Sequence, residues 1–326
     1  MLIVFWGVTR VEKVGKVSLE EEDIEVNAEV ETNEQMKGYR TVALFGVDST
    51  TGQLTKNTRS DTIILANINQ DTNEIKLVSV YRDTYLNIGN DTYNKCNSAY
   101  AKGGPQQAIN MLNQNLDLNI DDFVTVGFEG LIDIIDDLGG VTIDVQSEEI
   151  IHLNNYQKSI AEDLKISYTP VSSAGTQVLN GLQATAYCRI RYTSGSDFKR
   201  TQRQRDVLSA IMEKAKTAST STLTQAANDL FNNEVIYTSL GLSEILELLG
   251  DVTSYSIVGD SGFPEASMIT TGTIGAKGSC VVPVDLSSNV SWLHEYLFEE
   301  TGYTPSDTVE EYSAKVKSDT LAYISY

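Results

Sequence analysis

The sequence predicts an α/β fold, a three-layer sandwich in which a central mixed β-sheet is flanked by helices. From Thr41 onward, apolar runs of strand length alternate with amphipathic helical segments, which is typical of α/β layers. Two consecutive β-rich runs are separated by a short polar loop, which predicts a hairpin and makes the sheet mixed. With 326 residues and 41% hydrophobic side chains, the chain is long enough to bury a sizeable core.

The first elements are three strands, predicted at 41–47, 62–69 and 75–80. The polar residues 70–74 join the second and third of these in an antiparallel hairpin. A hairpin centred on about residue 72 would bring residues 61 and 83 opposite each other. We therefore expect Arg59 and Asp61 to meet Arg82 and Asp83 at the open end of the ladder.

The remaining elements follow from helical periodicity, caps and short apolar runs. Pro105 predicts the first turn of a helix, Gly139-Gly140 the end of another, and residues 285–288 the cap of a third. Residues 147–180 show no clear pattern, and 182–188 lead into arginines whose alternation is typical of a strand face. We predict helices at 106–116, 131–138, 202–217, 243–249 and 289–300, and strands at 123–126, 141–145, 254–258 and 280–284.

The domain organisation predicted is an N-terminal tether over 1–40 followed by a single domain over 41–326. Within that domain, 41–217 carries the motifs and 218–326 completes the fold. Residues 1–8 are apolar but too few to cross a bilayer, which takes about 20 residues. They fit the remnant of a membrane anchor, a mis-assigned start or a short first strand.

The charge distribution points to a small anionic ligand. The chain carries 24 basic and 45 acidic side chains, a net charge of −21, yet five of its nine arginines fall between Arg189 and Arg205. Clustered guanidinium groups repel one another unless an anion lies among them, and their donors suit phosphate. A nucleic-acid binder needs a broad positive potential, so we expect a multiply phosphorylated small ligand instead.

Other site types are poorly supported. The two histidines, His152 and His294, are far apart in the sequence, which argues against histidine-based triads and metal sites. Cys96, Cys188 and Cys280 are widely spaced and odd in number, so they indicate buried thiols and not a zinc site or a disulfide framework.

Eight collinear motifs give a more specific indication: GVDS (46–49), RSDT (59–62), YRDT (81–84), KCNSAY (95–100), DLGGV (137–141), LNGLQA (179–184), RIRY (189–192) and DFKRTQRQR (197–205). In this order and spacing they resemble the LytR-CpsA-Psr family, the cell-wall glycopolymer transferases of Gram-positive bacteria. The resemblance runs from about residue 41 to 217.

The resemblance implies a phosphotransferase that moves a glycopolymer from a polyprenyl pyrophosphate carrier onto peptidoglycan. It also implies an apolar tunnel for the prenyl tail and action at the extracellular face of the cytoplasmic membrane. The chain as given is expected to be a soluble ectodomain, with membrane lipid reached through the prenyl tail and an N-terminal anchor. The partners expected are the lipid-linked glycopolymer, the peptidoglycan acceptor and membrane lipid, with no nucleic acid.

The resemblance also assigns residues. Asp48 and Asp61 match the carboxylates associated with Mg²⁺, for which Mn²⁺ is an alternative; one or two carboxylates suffice for Mg²⁺ when phosphate and water complete its shell. Asp83 and Asp197 are the alternatives for the general base, and Arg82 is expected to act in catalysis. The positions matched to, or expected to contribute to, pyrophosphate binding are Arg59, Arg82, Lys95, Arg189, Arg191, Arg200, Arg203 and Gln204.

Two other functions remain open at this stage. The same residues could serve a polyprenyl pyrophosphate phosphatase or pyrophosphohydrolase, with water in place of the sugar hydroxyl. They could also serve a non-catalytic regulator that binds lipid-linked intermediates. Arg205 lies one position past the matched motif, where a surface role is expected.

Overall fold

The computed structural model describes residues 19, 23–48, 54–55, 57–191 and 196–324. The strands are β1 (Tyr39–Val47), β2 (Ser60–Asn69), β3 (Glu74–Val80), β4 (Tyr85–Asn87), β5 (Tyr93–Lys95), β6 (Asp122–Val126), β7 (Val141–Val145), β8 (Gly175–Leu179), β9 (Ile236–Thr238), β10 (Ser256–Phe263), β11 (Ile269–Thr273) and β12 (Ser279–Pro283). The helices are α1 (Ala28–Glu31), α2 (Asn97–Leu116), α3 (Phe128–Asp137), α4 (Ile150–Leu164), α5 (Gly181–Tyr187), α6 (Ser196–Thr217), α7 (Thr220–Asn232), α8 (Leu242–Gly250), α9 (Leu286–Phe298) and α10 (Asp307–Thr320).

A six-stranded sheet has the strand order β10-β3-β2-β1-β6-β9. Strand β10 is parallel to β3, whereas the β2–β3 and β6–β9 pairs are antiparallel. The predicted mixed sheet with flanking helices is therefore confirmed. Three two-stranded ladders, β4–β5, β7–β8 and β11–β12, complete the strand pairing in the described part of the chain.

The chain divides into two compact units, each built from separated segments. Unit 1 includes Val47–Leu54 and Val124–Tyr255, and unit 2 includes Ser18–Gly46, Thr55–Phe123 and Ser256–Tyr326. The region 218–326, predicted to complete one domain, contributes α7, β9 and α8 to unit 1 and β10 through α10 to unit 2.

The core of unit 1 is formed by α3, α4, α5 and the β7–β8 ladder. Its fully buried side chains include Ile135, Val141 and Leu153, together with Ile190 just after α5. Alternation along β7, with Val141, Ile143 and Val145 buried and the intervening residues exposed, places one face of the ladder on this core. This packing fixes the segment that carries Arg189 and Arg191.

Unit 2 contains the β2–β3 hairpin and the long helix α2. Phe45 and Tyr100 are fully buried and their rings pack 5.2 Å apart. Helix α2 is kinked at Gly103 and Gly104, neither of which has helical dihedral angles, and Pro105 begins the second part as predicted. A left-handed φ of 69° at Gly104 explains why glycine stands there.

The segment predicted as a tether is folded over its described part, 23–40. Val30 and Met36 are buried, and the Asn27 side-chain amide donates to Asp117 Oδ1 (2.6 Å) and to Gln114 O (3.0 Å). These contacts belong to unit 2, so residues 23–40 are part of a packed body because their few apolar side chains are used as core. Residues 1–18 lie outside the described residues.

Two regions without an assigned element in the sequence have definite structure. The stretch 147–180 contains helix α4 and strand β8, and the alternating Arg189 and Arg191 lie at and just after a turn that follows α5, not in a strand. Helix α6 also begins at Ser196, six residues earlier than expected. In the described part of the chain, no helix combines the length and apolar character that crossing a membrane requires.

Candidate functional site

In unit 2, four predicted site residues meet near the open end of the β2–β3 hairpin. Arg82 Nη1 lies 2.5 Å from Asp61 Oδ1, and Arg82 Nε lies 3.7 Å from Asp83 Oδ2. Lys95 Nζ lies 3.2 Å from Asp83 Oδ1. We call Asp61, Arg82, Asp83 and Lys95 the unit 2 cluster. Arg59 is exposed and forms no ion pair with any residue that the structure describes.

The backbone of Arg82 is held by a tight turn. Thr84 donates to the Tyr81 carbonyl through both its backbone amide (2.8 Å) and its hydroxyl (2.6 Å). The Arg82 carbonyl accepts from the backbone amide of Asn97 (3.2 Å) and from the Cys96 thiol (3.4 Å). The turn therefore sets the direction of Arg82 before any ligand is bound.

In unit 1, the predicted residues lie on three segments of the chain. Asp48 follows β1, Arg189 and Arg191 follow α5, and Asp197, Arg200, Arg203 and Gln204 lie on α6. We call Asp48, Arg189, Arg191, Asp197, Arg200 and Arg203 the unit 1 cluster. The helix predicted at 202–217 would have begun with Arg203 and Arg205, but α6 begins at Ser196 and its first turn carries Asp197, where a negative charge is favourable.

The guanidinium of Arg189 is held by one carboxylate and two aromatic rings. Its Nη2 lies 3.3 Å from Asp48 Oδ2. The guanidinium carbon lies 4.7 Å from the Phe128 ring centre and 5.2 Å from that of Tyr156. Stacking of this kind leaves the edge of a guanidinium available for oxyanions while restricting its orientation.

Asp197 lies between two arginines of the unit 1 cluster. Its Oδ1 is 3.7 Å from Arg191 Nε and 3.7 Å from Arg200 Nη1. Arg200 is almost fully buried, whereas the side chain of Asp197 is 47% exposed. At 3.7 Å these are ion pairs without hydrogen bonds, so a more strongly charged anion could replace the carboxylate at the same donors.

Arg203 is engaged inside the unit. Its Nε donates to Glu149 Oε1 at 2.7 Å and its Nη1 donates to the Ile190 carbonyl at 3.1 Å. Gln204 is also buried, and its Oε1 accepts no hydrogen bond from the residues that the structure describes. Arg205 was expected at the surface but is buried, and its Nη2 donates to Gln202 Oε1 at 2.6 Å.

The cysteines close to the two clusters are neutral thiols. Burial and then the negative charge of Asp83 raise the pKa of Cys96 far above its ordinary value. Burial and then Asp206 raise the pKa of Cys188 to about 12. A thiol of high pKa is a weak nucleophile, so neither residue fits covalent catalysis.

One carboxylate of unit 1 could contribute to a magnesium site. Among the described residues, no group of three or more His, Cys, Asp or Glu side chains is arranged to hold a metal. The side chain of Asp48 is 44% exposed. One of its carboxylate oxygens pairs with Arg189, which leaves the other oxygen accessible. Mg²⁺ is typically bound by one or two carboxylates together with phosphate oxygens and water, so such a carboxylate is suitable.

A cavity of about 560 Å³ lies in unit 1 between β7 and α6. Its lining includes Asp144, Asp206 and Glu213 alongside apolar Ile143 and Ala210. Each of these carboxylates already has a polar partner, with Gln146 on Asp144, Gln202 on Asp206 and Lys216 on Glu213. So many polar groups in the lining make this cavity a poor match for a prenyl chain, which would cost them hydration. The apolar tunnel implied by the resemblance stays a prediction.

The structure therefore brings the predicted residues together within each cluster. The roles that the resemblance implies for individual residues stay predictions. The binding of one ligand by both clusters stays a prediction as well. Sequence reasoning missed Glu149, Tyr156 and the stacking role of Phe128. Only the arginine-rich blocks themselves could have indicated that such partners were needed, because closely spaced buried cations require acceptors.

Comparison with known proteins gives a consistent result. The model of the LytR_cpsA_psr family matches residues 7–272. The polyisoprenyl-teichoic acid–peptidoglycan teichoic acid transferase TagT of Bacillus subtilis (strain 168) is 31% identical over 225 residues, 67% of this chain and 67% of that protein. TagU of the same strain, which carries the same activity name, is 35% identical over 184 residues, 56% of this chain and 54% of that protein. Biofilm regulatory protein A of Streptococcus mutans is 27% identical over 304 residues, which cover 83% of this chain and 72% of that protein.

Solved structures have the same fold. The crystal structure of B. subtilis TagT matches with a TM-score of 0.63 and 25% identity, over 86% of this chain and 99% of that one. TagT with bound octaprenyl pyrophosphate lipid matches with a TM-score of 0.58 and 22% identity, over 93% and 98%. The protein gbs0355 of Streptococcus agalactiae matches with a TM-score of 0.67 and 24% identity, over 84% and 93%.

Proposed function

Because this chain belongs to the LytR_cpsA_psr family, we propose that it transfers a glycopolymer from a polyprenyl pyrophosphate carrier onto peptidoglycan. The names of TagT and TagU supply the reaction class, and the octaprenyl pyrophosphate bound by TagT supplies the ligand class. The observation in this chain that carries the proposal is the unit 1 cluster, in which Arg189, Arg191 and Arg200 are anchored around two carboxylates.

The reaction proposed is a single phosphoryl transfer. A hydroxyl oxygen of the acceptor glycan attacks the phosphorus bonded to the glycopolymer, and the bond from that phosphorus to the bridging oxygen breaks. The products are a phosphodiester between glycopolymer and acceptor, and polyprenyl monophosphate. The hydroxyl proton passes to a carboxylate, and Asp83 and Asp197 are the two candidates.

The arginines neutralise the charge of the diphosphate. Phosphoryl transfer depends mainly on positioning and on stabilising negative charge at the phosphate oxygens, so preorganised guanidinium groups supply most of what is needed. Arg189 is already oriented by Phe128 and Tyr156, and Arg200 by burial. Arg59, Arg82 and Lys95 are proposed as further phosphate-contacting residues by resemblance.

Asp48 and Asp61 are the residues proposed to hold Mg²⁺, or Mn²⁺ in its place. When bound, the ion would supply further neutralisation of phosphate charge. Asp48 is the better supported of the two because its carboxylate is half-exposed and uses one oxygen for Arg189. Since the donor and acceptor substrates belong to the cell envelope, the proposed place of action is the outer face of the cytoplasmic membrane.

The proposal is tested with purified protein, a synthetic saccharide on a short polyprenyl pyrophosphate, a peptidoglycan oligosaccharide and Mg²⁺. We expect a phosphodiester-linked product and one polyprenyl monophosphate per transfer. Monophosphate released equally well without acceptor would assign a pyrophosphohydrolase instead. Binding of the lipid with no product under either condition would assign a non-catalytic binder.

Matched variants connect the assay to the site. Arg189→Ala should lower transfer by roughly 10²–10³, the cost of removing one preorganised donor. Lys158→Ala removes a cation from the same unit but from an exposed pair with Glu162, so its activity should match that of the unaltered protein. Equal transfer activity in Arg189→Ala and Lys158→Ala would show that Arg189 does not contribute to the reaction.

A further inference from the structure

Arg203 differs from the other arginines of the unit 1 cluster because both of its described hydrogen bonds are made to the protein interior. The side chains of Arg203 and Glu149 are only 4% and 5% exposed, and their ion pair measures 2.7 Å. The Tyr187 ring lies beneath the guanidinium, with its centre 5.8 Å from the guanidinium carbon. The guanidinium is thus almost closed to a ligand, and replacing Glu149 at its Nε would mean breaking a buried pair, which is strongly unfavourable.

The second bond of Arg203 ends on the residue between two predicted phosphate ligands. Its Nη1 donates to the Ile190 carbonyl at 3.1 Å, and Ile190 stands between Arg189 and Arg191. The Ile190 side chain is itself fully buried. A charged donor on this carbonyl therefore fixes the peptide from which both neighbouring guanidinium groups extend.

Glu149 is itself held by two hydrogen bonds to Gln146. The backbone amide of Gln146 donates to Glu149 Oε2 at 2.8 Å, and the backbone amide of Glu149 donates to the Gln146 carbonyl at 2.9 Å. Glu149 immediately precedes α4, the helix that also carries Tyr156 against Arg189. A continuous set of hydrogen bonds thus runs from the start of α4 through Arg203 to Ile190.

We propose that Glu149 and Arg203 are positioning residues, and that Arg203 does not itself bind phosphate. The pair holds the Arg189–Ile190–Arg191 peptide in the orientation that an anionic diphosphate requires. This inference rests on the proposed function for the identity of the anion. It differs from the role that the resemblance implies for Arg203, and it assigns a role to Glu149.

The test uses Glu149→Gln, which keeps the shape of the side chain and removes its charge, with Glu148→Gln as the matched control. Glu148 is adjacent and acidic, but it is exposed and pairs with Lys199 at 3.6 Å. Inorganic pyrophosphate binding is measured by calorimetry, and amide hydrogen exchange is measured for residues 187–191. Neither measurement depends on transferase activity.

The two roles predict opposite signs. If Glu149 acts only through its charge, its neutralisation beside a cationic cluster should strengthen pyrophosphate binding. As a positioning residue, Glu149→Gln should weaken binding about tenfold, in line with the usual effect of supporting residues around a ligand. It should also speed amide exchange at 187–191, whereas Glu148→Gln changes neither quantity.

Arg203 is tested by a double-mutant cycle. Arg203→Gln should weaken pyrophosphate binding as much as Glu149→Gln. The double variant should bind pyrophosphate no more weakly than either single variant, because all three variants lose the same Arg203–Glu149 ion pair. Glu149→Asp, which keeps the charge, should restore part of the affinity, and it serves if Glu149→Gln fails to fold. In transfer, KM should rise more than kcat falls.

Two outcomes would overturn the proposal. One is unchanged or tighter pyrophosphate binding in Glu149→Gln together with at least tenfold weaker binding in Arg203→Gln, which would make Arg203 a direct ligand. The other is unchanged amide exchange at 187–191 in both variants. If transfer fails in the unaltered protein while these binding and exchange results hold, the proposed function is wrong and the positioning role stands.

Discussion

Arg82 forms a cross-strand ion pair with Asp61, with 2.5 Å between Nη1 and Oδ1. In the β2–β3 ladder, Ile64 is paired with Ser79, and continuing this register for three residues brings Asp61 opposite Arg82. The two side chains are 20% and 27% exposed, so the pair is accessible to an anionic ligand without being freely solvated. The hairpin thus presents a cation and an anion side by side.

Arg82→Ala is expected to abolish most transfer while leaving the fold intact. The ion pair with Asp61 is partly solvated, and such pairs contribute about 1 kcal/mol or less to stability. Loss of the phosphate-contacting charge should lower kcat/KM by roughly 10²–10³. Thermal unfolding and the transfer assay measure the two effects. Lys37→Ala, which breaks an exposed pair with Glu34 in the same unit, is the control; transfer at the unaltered rate by Arg82→Ala would contradict the prediction.

The hairpin shows how closely sequence can predict a site. The strands and the meeting of Asp61, Arg82 and Asp83 follow from two β-rich runs and one polar loop. The predicted register was wrong by one residue, because the turn places Asn73 in the left-handed region (φ 58°) and pairs Ile68 with Ile75. Register depends on turn geometry, which a run of polar residues does not specify.

The partners of the arginines were not predictable in the same way. Glu149 is 54 residues from Arg203 in sequence, and the helix that it precedes, α4, has the polar stretch NNYQKS that obscures its apolar face. Likewise, Arg189 and Arg191 alternate as in a strand, but the buried Ile190 between them directly follows a turn. Tertiary packing of α5 on α3 and α4 determines that conformation, and local propensity does not report it.

Asp48→Asn is expected to raise the Mg²⁺ concentration needed for half-maximal transfer by about tenfold, equivalent to about 1.4 kcal/mol. The neutral amide keeps the size of the side chain but is a poorer ligand for a hard cation than a carboxylate. A second readout is the dependence of pyrophosphate affinity on Mg²⁺, measured by calorimetry. Full activity of the unaltered protein in excess chelator would exclude the metal altogether.

Gly181→Ala is expected to destabilise unit 1 because there is no space for a side chain at the start of α5. An added Cβ would lie 2.2 Å from the carbonyl oxygen of Ile132 in α3. The Gly181 backbone amide also donates to Asp136 Oδ1 at 2.6 Å, so the helix cannot easily move away. We expect a loss of about 1–3 kcal/mol in the free energy of unfolding, measured by chemical denaturation.

The control for this prediction is Gly250→Ala at the end of α8. A Cβ at Gly250 would meet no atom within 4 Å, and its φ is not in the left-handed region. This variant should therefore have the unfolding free energy of the unaltered protein or slightly more, since alanine is the better helix former. If both glycine variants unfold at the same denaturant concentration, close packing at Gly181 is not what requires the glycine.

The buried His294 should make folding stability fall at mildly acid pH. Its ring is fully buried and stacks on Tyr303 with centres 3.6 Å apart, and its Nε2 lies 3.2 Å from the Leu116 carbonyl. Burial lowers the pKa of His294 in the folded protein, and this effect outweighs the opposite influence of the Leu116 carbonyl and of the negative charges of Asp117 and Glu300. The folded protein therefore keeps His294 neutral at a pH where the unfolded chain binds a proton.

The stability contributed by neutral His294 is complete above its unfolded pKa of about 6.5 and is lost as the pH falls below that value. The free energy of unfolding should then decrease by up to about 1.4 kcal/mol per pH unit from this residue, measured by denaturation between pH 7.5 and 5. His294→Gln should flatten that slope, whereas His152→Gln, which changes the other histidine of the chain, should leave it as it is. A slope that persists in both histidine variants would assign the acid sensitivity to carboxylates.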